Sequence, residues 1–289
     1  MDKIVNKTSI AILLGVYNGA LYIEEQIDSI LAQTYIDWTL FVRDDASTDN
    51  TGYILKKYVE RYDNIFEIRD TDGNLGCNGN YFRLLSIVES DYYMFCNADD
   101  YWFPTKIEIT MEKMKAEEIK NKNVSIIVHT DLSISDKNLN ILSDSYWENT
   151  NTDPERFKTY NKLGICSIVA GATMLFNQNV KKLTFPVAKN APFFDQWMAL
   201  KVVEKGVIAT VHAPTIAYRQ IGTNLAAVTI NKQNSIFNKI LSIKDVVRVN
   251  LREARMLRDI GWGSYSKYIC YKIIVLFMVR FGKQYKSNL

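Results

Sequence analysis

The chain has 289 residues, of which 47% are hydrophobic and 23% charged, a composition typical of a globular protein with one large domain and room for an appendage. The net charge of +3 is divided unevenly: from residue 230 onward there are twelve Lys/Arg against three Asp/Glu, so an acidic body carries a basic tail that indicates an anionic partner. Four cysteines without a CxxC pair and two distant histidines argue against a zinc site and favour reduced structural thiols in a cytosolic protein.

The apolar run Ile10–Val16 is too short for a signal peptide and leads into a turn, so we expect a cytoplasmic protein. Strands and helices then alternate. The predicted strands are Ser9–Val16, Trp38–Val42, Phe66–Arg69 and Tyr92–Cys96, and the predicted helices are Tyr22–Gln33, Thr51–Tyr62 and Gly79–Val88. This order predicts right-handed βαβ units, and therefore an α/β fold with a mostly parallel sheet flanked by helices. In such sheets, ligands bind beyond the carboxyl ends of the strands.

The middle third is less regular. It is predicted to contain a strand at Val124–His129, a polar loop at Asp136–Asp153, an apolar stretch at Cys166–Phe176, a helix at Asp195–Val203 and a strand at Val207–Val211. Gly171 lies inside the apolar stretch. A glycine there indicates close approach of a ligand or another backbone, so we expect this stretch to line the back of a pocket.

Polar side chains follow the strand Tyr92–Cys96 directly, with Asn97, Asp99 and Asp100 in close succession. Carboxylate oxygens hold Mg²⁺ or Mn²⁺ with few protein contacts and leave coordination positions open for a diphosphate. The bound cation would also remove the repulsion between neighbouring acids. Capping of a helix, or salt bridges at the surface, are the alternative uses of such a pair of acids.

A second acidic group, Asp44-Asp45, follows the strand Trp38–Val42. Asp45 is placed to accept hydrogen bonds from a nucleobase N–H or a ribose hydroxyl, whereas Asp49 is a candidate N-cap for the next helix. The sequence contains neither GxGxxG nor GxxxxGK[ST], which excludes a typical dinucleotide fold and a P-loop.

Several motifs in a fixed order resemble those of the family 2, GT-A-fold glycosyltransferases, especially their rhamnosyltransferase-like bacterial branch. They are VYNGALYIEEQIDSILAQTYIDWTLFVRDDASTDNT, NLGCNGNYFRLL, YYMFCNADDYWFPTKI, GATMLFN, FFDQW and YRQIGTN. The likeness covers roughly residues 8–228. It implies a GT-A catalytic domain at 1–228, followed by a basic amphipathic helical extension at 229–289.

The resemblance also implies roles in binding a nucleotide-sugar donor. Val16 and Asn18 would line the nucleotide pocket, and Asp45 would contact the base. The metal ion, Mg²⁺ or Mn²⁺, would be held by Asp99 together with Asn97, next to the diphosphate. Near that diphosphate would also lie Arg219 and Gln220, where a guanidinium offsets charge on the leaving group.

Asp195, in FFDQW, stands where the family has its catalytic base. Sugar transfer with inversion needs one base to accept the proton of the acceptor hydroxyl and needs no enzyme nucleophile. The neighbours Phe193, Phe194 and Trp197 are apolar, and such surroundings raise the pKa of a carboxyl group. The alternative reading of Asp195, from the residues alone, is the N-cap of the helix that follows.

Two positions depart from the family pattern. Asn97 stands where an acid is common, and Ile221 stands where a histidine is common, which weakens the expectation of metal dependence. A non-catalytic nucleotide-sugar-binding or assembly protein of the same fold is therefore an alternative to an enzyme. A nucleotidyltransferase is a third hypothesis, but it would need a basic, glycine-rich loop after the first strand, and VYNGALYIEE has no basic residue.

Residues 230–289 are predicted to form amphipathic helices, with an apolar stripe from Ile236 to Ile260 and an apolar core at Ile273–Val279 too short to span a bilayer. One reading places this basic tail on the anionic inner leaflet, near a glycan or lipid-linked acceptor. The other packs it on the body or on a second subunit of a homodimer. No nucleic-acid-binding motif is present, and the acidic body opposes that role.

Overall fold

In the computed structural model of the chain, residues 4–5, 10–191, 193–221, 243–282 and 284–286 are described. Eleven strands lie in these ranges. They are β1 (Ile4–Val5), β2 (Ile10–Val16), β3 (Trp38–Asp44), β4 (Ile65–Glu67), β5 (Val88–Glu89), β6 (Tyr92–Cys96), β7 (Tyr101–Trp102), β8 (Ile126–Ser135), β9 (Ile141–Ser143), β10 (Met174–Asn177) and β11 (Val207–Arg219).

The same ranges contain eleven α-helices and one 3₁₀ turn at Gly171–Thr173. The helices are α1 (Ile23–Leu31), α2 (Thr51–Arg61), α3 (Gly76–Ile87), α4 (Lys106–Lys120), α5 (Tyr146–Thr150), α6 (Pro154–Phe157), α7 (Tyr160–Leu163), α8 (Gln178–Thr184), α9 (Phe194–Lys205), α10 (Ile243–Asp259) and α11 (Tyr265–Phe281).

One large sheet forms the centre of the molecule, in the order β4-β3-β2-β6-β10-β8-β11-β7, with β9 paired to β8. The strands from β4 to β6 are parallel to their neighbours, as the alternation of strands and helices predicts. Strand β10 then inserts antiparallel between β6 and β8, while β8 and β11 pair in parallel. The short strands β1 and β5 form a separate parallel pair.

Alternating side chains of the central strands feed two hydrophobic cores, one on each face of the sheet. In β6, Met94 faces the core built with α1, α2 and α4, whereas Phe95 faces the core built with α3, α8 and α9. Helices on both faces bury a parallel sheet completely, which is why β2 and β6 are almost wholly apolar.

The described part of the C-terminal extension joins the second of these cores through Leu257, Trp262, Tyr268 and Val275. Trp262 lies against Gly164, where a side chain would collide with its ring, and its indole N–H donates to the carbonyl of Tyr160. Across the described ranges, no helix is both long and apolar enough to cross a membrane. The boundary between the predicted domains at 228/229 lies outside the described residues and stays a prediction.

Several sequence-based expectations need correction. The region Asp136–Asp153 is not a plain loop, because it contains β9 and α5. Asn50 occupies the N-cap position of α2 without a side-chain cap hydrogen bond, while the Asp49 carboxylate accepts the N–H of Thr51 at 3.0 Å. Phe193, not Asp195, occupies the N-cap of α9. Short elements such as β9 and α5 depend on partners that are distant in sequence, and sequence periodicity does not identify those partners.

Candidate active site

Strands β2, β3 and β6 end side by side at the carboxyl edge of the sheet. Val16 pairs with Asp44, and Leu14 pairs with Cys96, so the loops that follow start at one level. The acidic clusters therefore emerge at the same edge, as the parallel topology predicts.

The first two of these loops are joined by hydrogen bonds. Asn18 adopts a left-handed backbone with φ 50°, and its side-chain oxygen accepts from the backbone N–H of Thr48 at 2.8 Å. The backbone N–H of Asn18 donates in turn to the hydroxyl of Ser47. Asn18 is exposed, whereas Val16 is buried and its carbonyl accepts from the N–H of Asp45. The loop that was predicted to contact the nucleotide is thus preorganised.

Asp45 is almost completely enclosed, with 1% of its surface exposed. Its carboxylate accepts the backbone N–H groups of Leu75 and Gly76, each at 2.8 Å, and binds the guanidinium of Arg43. Gly76, at φ +69°, allows the chain to turn into α3 over the carboxylate. In this structure Asp45 holds the 73–76 loop, and its contact with a donor base stays a prediction.

Arg43 connects this corner to a second buried acid. Its guanidinium donates to both oxygens of Asp70, at 3.0 and 2.9 Å, as well as to Asp45 and to the side-chain oxygen of Asn80. The hydrogen bonds from Arg43, and then from Arg83, hold the pKa of Asp70 well below its usual range. This corner is a fixed, charge-balanced unit.

The third loop places Asn97, Asp99 and Asp100 in different surroundings. Asp100 is fully buried and accepts a hydrogen bond from the Asn97 amide at 2.9 Å, so it orients its neighbour. Burial, and then the charge of Asp99, raise the pKa of Asp100 to about 8. Asp99 is half-buried, and desolvation raises its pKa as well. Both acids are therefore kept in surroundings that disfavour a bare negative charge.

Arg219 approaches this loop from the end of β11, but its guanidinium is 2% exposed. It donates to the backbone carbonyl of Asp99 at 3.0 Å, to the carbonyl of Lys137, and to the carboxylate of Glu25 at 2.5 Å. Its side chain thus supports the Asp99 turn in this structure. Gln220 is half-buried and donates its backbone N–H to Ser135. Direct contact of either side chain with a diphosphate stays a prediction.

Asp195 lies in the first turn of α9, half-buried and held on both oxygens. One oxygen accepts from the backbone N–H of Gly171 at 3.1 Å and the other from that of Gln196 at 2.7 Å. Burial raises its pKa above the ordinary value, while these two hydrogen bonds act in the opposite direction. A Cβ on Gly171 would lie 2.5 Å from the ring of Phe194, so a side chain, and not the predicted ligand or backbone, approaches this glycine.

The N-terminal part of α3 connects the separate corners, and sequence reasoning assigned no role to its residues. Asn78 accepts the backbone N–H of Phe194 at 3.0 Å. Tyr81 donates its hydroxyl towards the side-chain oxygen of Asn97 at 2.9 Å, and its ring lies 4.4 Å from that of Phe194. In the sequence, the polar residues at helical spacing in NLGCNGNY could have indicated that this helix contacts the site.

Cys77 marks the point where the corners meet. Desolvation raises the pKa of its thiol to about 11, and the charges of Asp195, Asp45 and Asp99 each contribute to that rise. This exposed thiol lies in the first turn of α3, next to Gly76, which donates to Asp45, and to Asn78, which accepts from Phe194. Contacts from the first turns of α3 thus reach Asp45, Asn97 and Phe194, the neighbour of Asp195.

The oxygen ligands at the end of β6 fit a cation that shares its coordination with a substrate. Asp99 supplies a carboxylate, and Asn97 supplies an amide oxygen that also accepts from Tyr81. Among the described residues, no three His, Cys, Asp or Glu side chains are grouped to hold a metal. Mg²⁺ is commonly held by one or two carboxylates with substrate phosphates and water, so this set fits a donor-dependent site better than a permanent one.

The profile of glycosyl transferase family 2 matches residues 11–181, and the chain belongs to this family. The resemblance predicted from the ordered motifs is thereby confirmed. The dTDP-rhamnosyl transferase RfbG of Shigella flexneri is 37% identical over 99 residues, which span 33% of this chain and only 34% of RfbG. The UDP-Glc:alpha-D-GlcNAc-diphosphoundecaprenol beta-1,3-glucosyltransferase WfaP of Escherichia coli is 24% identical over 90% of each chain.

Solved structures share the fold at low sequence identity. Staphylococcus aureus TarS 1-349 in complex with UDP-GlcNAc has a TM-score of 0.54 at 16% identity, covering 94% of this chain and 81% of its own. Mannosyltransferase PcManGT from Pyrobaculum calidifontis, in complex with GDP-Man and Mn²⁺, has a TM-score of 0.53 at 13% identity, covering 96% and 82%. The predicted GT-A-type fold with C-terminal helices is confirmed.

Proposed function

We propose that the protein is an inverting glycosyltransferase that moves a sugar from a nucleoside diphosphate donor to a hydroxyl group of a glycan or lipid-linked acceptor in surface polysaccharide synthesis. The proposal rests on the Asp195 carboxylate, which two backbone N–H groups hold in place. The preceding residue, Phe194, donates to Asn78 of α3, and the start of this helix also contacts Asp45 and Asn97. A rigid, partly desolvated carboxylate opposite a donor-binding edge is what base-assisted transfer requires.

In the proposed reaction, Asp195 accepts the proton of the acceptor hydroxyl. The hydroxyl oxygen forms a bond to the anomeric carbon, and the bond from that carbon to the nucleoside diphosphate oxygen breaks on the opposite face. The raised pKa of Asp195 makes it a stronger base than an exposed aspartate. The hydrogen bonds from Gly171 and Gln196 hold it in one orientation, so little ordering remains for the transition state.

A divalent cation would be held by Asp99 together with Asn97, both at the end of β6. When bound, Mg²⁺ or Mn²⁺ supplies positive charge that stabilises the departing diphosphate. The hydroxyl of Tyr81 donates to the side-chain oxygen of Asn97, and the guanidinium of Arg219 donates to the backbone carbonyl of Asp99. These two residues therefore position the metal-binding groups.

For the nucleotide, we propose the loops that carry Val16, Asn18 and Asp45, which are already joined by hydrogen bonds. Two similar proteins point to different donors: RfbG is named a dTDP-rhamnosyl transferase, and WfaP is named for UDP-Glc and a diphosphoundecaprenol acceptor. We therefore propose dTDP-rhamnose or a UDP-sugar as donor and a lipid-linked glycan as acceptor, with transfer on the cytoplasmic side of the membrane.

Thermal unfolding with UDP, dTDP or GDP, each with and without Mn²⁺, tests the donor. A ligand that binds the folded protein raises its melting temperature by mass action, so one nucleotide should stabilise the protein more than the other two. Failure of all three to raise the melting temperature in the presence of Mn²⁺ would contradict a nucleotide site.

Asp195→Asn tests the base. Transfer should be lost while nucleotide binding persists, because the amide keeps the shape of the side chain but accepts no proton. Asp63→Asn is the matched control, since Asp63 is exposed before β4 at the opposite edge of the sheet, and it should leave transfer unchanged. Normal turnover by the first variant would exclude Asp195 as the base. Tight nucleotide binding with an intact donor in the native protein would favour the non-catalytic binding protein instead.

A further inference from the structure

Helix α11 is mostly apolar, although it includes Lys267, Lys272 and Arg280, and only one of its sides is covered by the described residues. Tyr268 and Val275 on the inner side are buried in the core shared with the body. The outer side carries large apolar side chains with 39% to 66% of their surfaces exposed. They are Ile269, Ile273, Ile274, Leu276, Phe277 and Phe281.

These exposed residues form one continuous face, which we call the outer face of α11. At 3.6 residues per turn, their six positions fall within an arc of roughly 160°, which is one side of a helix. From Ile269 to Phe281 the face is about 18 Å long, at ~1.5 Å per residue. Ile36 and Ile119 are at least as exposed, but each lies on a different element. Single exposed apolar residues are common, whereas a contiguous apolar face indicates an interaction surface.

The positive charge near the outer face of α11 indicates what kind of partner binds there. Between Tyr265 and Leu289 the sequence has five Lys/Arg and no Asp/Glu. Arg280 lies on the exposed side of α11, and Lys286 is exposed just beyond it. A two-fold contact with a second copy would place this basic segment against itself, and like charges across an interface are unfavourable. An anionic surface that also accepts apolar side chains matches both properties.

We propose that the outer face of α11 lies on an anionic lipid surface, with the helix axis parallel to the membrane plane. The apolar side chains would enter the boundary between headgroups and acyl chains, and Arg280 and Lys286 would contact the lipid phosphates. The inner side of α11 stays packed on the body, so the whole protein is held at the surface. This inference goes beyond the transfer reaction and does not depend on it.

Vesicle flotation with the full-length protein, without donor or acceptor, tests the proposal. The native protein should float with vesicles of phosphatidylcholine and phosphatidylglycerol, and less so with pure phosphatidylcholine or at high salt. The double variant Ile273→Glu/Phe277→Glu should bind more than about tenfold more weakly, since each large apolar side chain removed from lipid contact costs about that factor. Ile36→Glu/Ile119→Glu introduces the same charges at exposed positions elsewhere and should float like the native protein.

A second measurement keeps the proposal testable if the double variant does not fold. Cys270 is exposed within the outer face, so in a Cys77→Ser background it can carry an environment-sensitive fluorophore. Anionic vesicles should shift its emission to the blue, and brominated acyl chains should quench it. Native protein that does not bind anionic vesicles, or a label that stays in water on bound protein, would overturn the proposal. A native dimer that Ile273→Glu/Phe277→Glu converts to monomers, without vesicle binding, would overturn it in favour of a second copy.

Discussion

Two groups of aspartates in the candidate site have opposite surroundings. We call Asp45 and Asp70 the first corner, and Asp99 and Asp195 the second corner. At the first, Asp45 and Asp70 share the guanidinium of Arg43, and the pKa of Asp70 is held low. At the second, burial raises the pKa of Asp99 and of Asp195. The first corner holds the 73–76 loop, whereas the second contains the carboxylates that we propose as base and cation ligand.

The difference shows that position at a strand end does not define the role of an acid. Asp45 and Asp99 each follow a parallel strand, and both lie within motifs of the family. Only the groups packed around each carboxylate separate a structural ion pair from a candidate catalytic group. The following variants test this contrast, in order of decreasing expected effect.

Arg43→Leu should have the largest effect on stability. It leaves two buried carboxylates without their shared cation, and removal of one member of a buried ion pair costs about 3–5 kcal/mol. Urea unfolding measures the loss. Arg69→Leu is the control, because Arg69 is 73% exposed in its pair with Glu67 and should change little. Equal small effects of both variants would mean that the first corner is not a stabilising unit.

Gly171→Ala should disturb the second corner directly. The added methyl group would lie 2.5 Å from the Phe194 ring, and such overpacking costs about 1–3 kcal/mol. Because Gly171 also donates to Asp195, transfer activity should fall more than stability alone explains. Gly52 lies in the first turn of α2, and a Cβ there would have Asp44 Oδ2 as its nearest atom, 3.7 Å away. The control Gly52→Ala should therefore gain about 0.5–1 kcal/mol. A variant at Gly171 with native stability and activity would contradict the tight contact.

Tyr81→Phe should produce a smaller change. Loss of one buried hydroxyl costs about 0.5–1.5 kcal/mol, and Asn97 loses the hydrogen bond that orients it. Nucleoside diphosphate binding should therefore weaken in the presence of Mn²⁺, as measured by calorimetry. Tyr93→Phe removes another buried hydroxyl, which accepts from Ser90, and should lower stability without affecting binding. The same binding constant in both variants would exclude a role for Tyr81 at the metal-binding corner.

The subtlest expected effect is on the pH dependence of transfer. Asp195 must be deprotonated to accept a proton, and burial raises its pKa, so activity should fall as the pH is lowered through a value above the ordinary aspartate pKa of ~3.9. The acid limb of kcat/KM measures this value. An acid limb at or below the ordinary aspartate pKa would mean that desolvation does not tune this carboxylate.

Much of the fold could be predicted from the sequence. The strand at Tyr92–Cys96 is confirmed to the residue, and β2 and β3 begin or end within two residues of their predictions, because their apolar runs are local and bounded by turns. Strand β10 could not be predicted as an antiparallel insertion between β6 and β8. Its partners at Met94 and Val128 lie far away in the sequence, and only packing brings them together.

The sequence by itself determined the family, the alternation that makes the parallel half of the sheet, and the acids at its edge. Those features depend on local periodicity and on motifs in order. Tertiary structure decided how each acid is used: the 73–76 loop closes over Asp45, and Arg219 turns to Glu25, 194 residues away. It also left the outer face of α11 uncovered. Charge balance and burial depend on which groups meet in space, and the order of residues along the chain does not report those meetings.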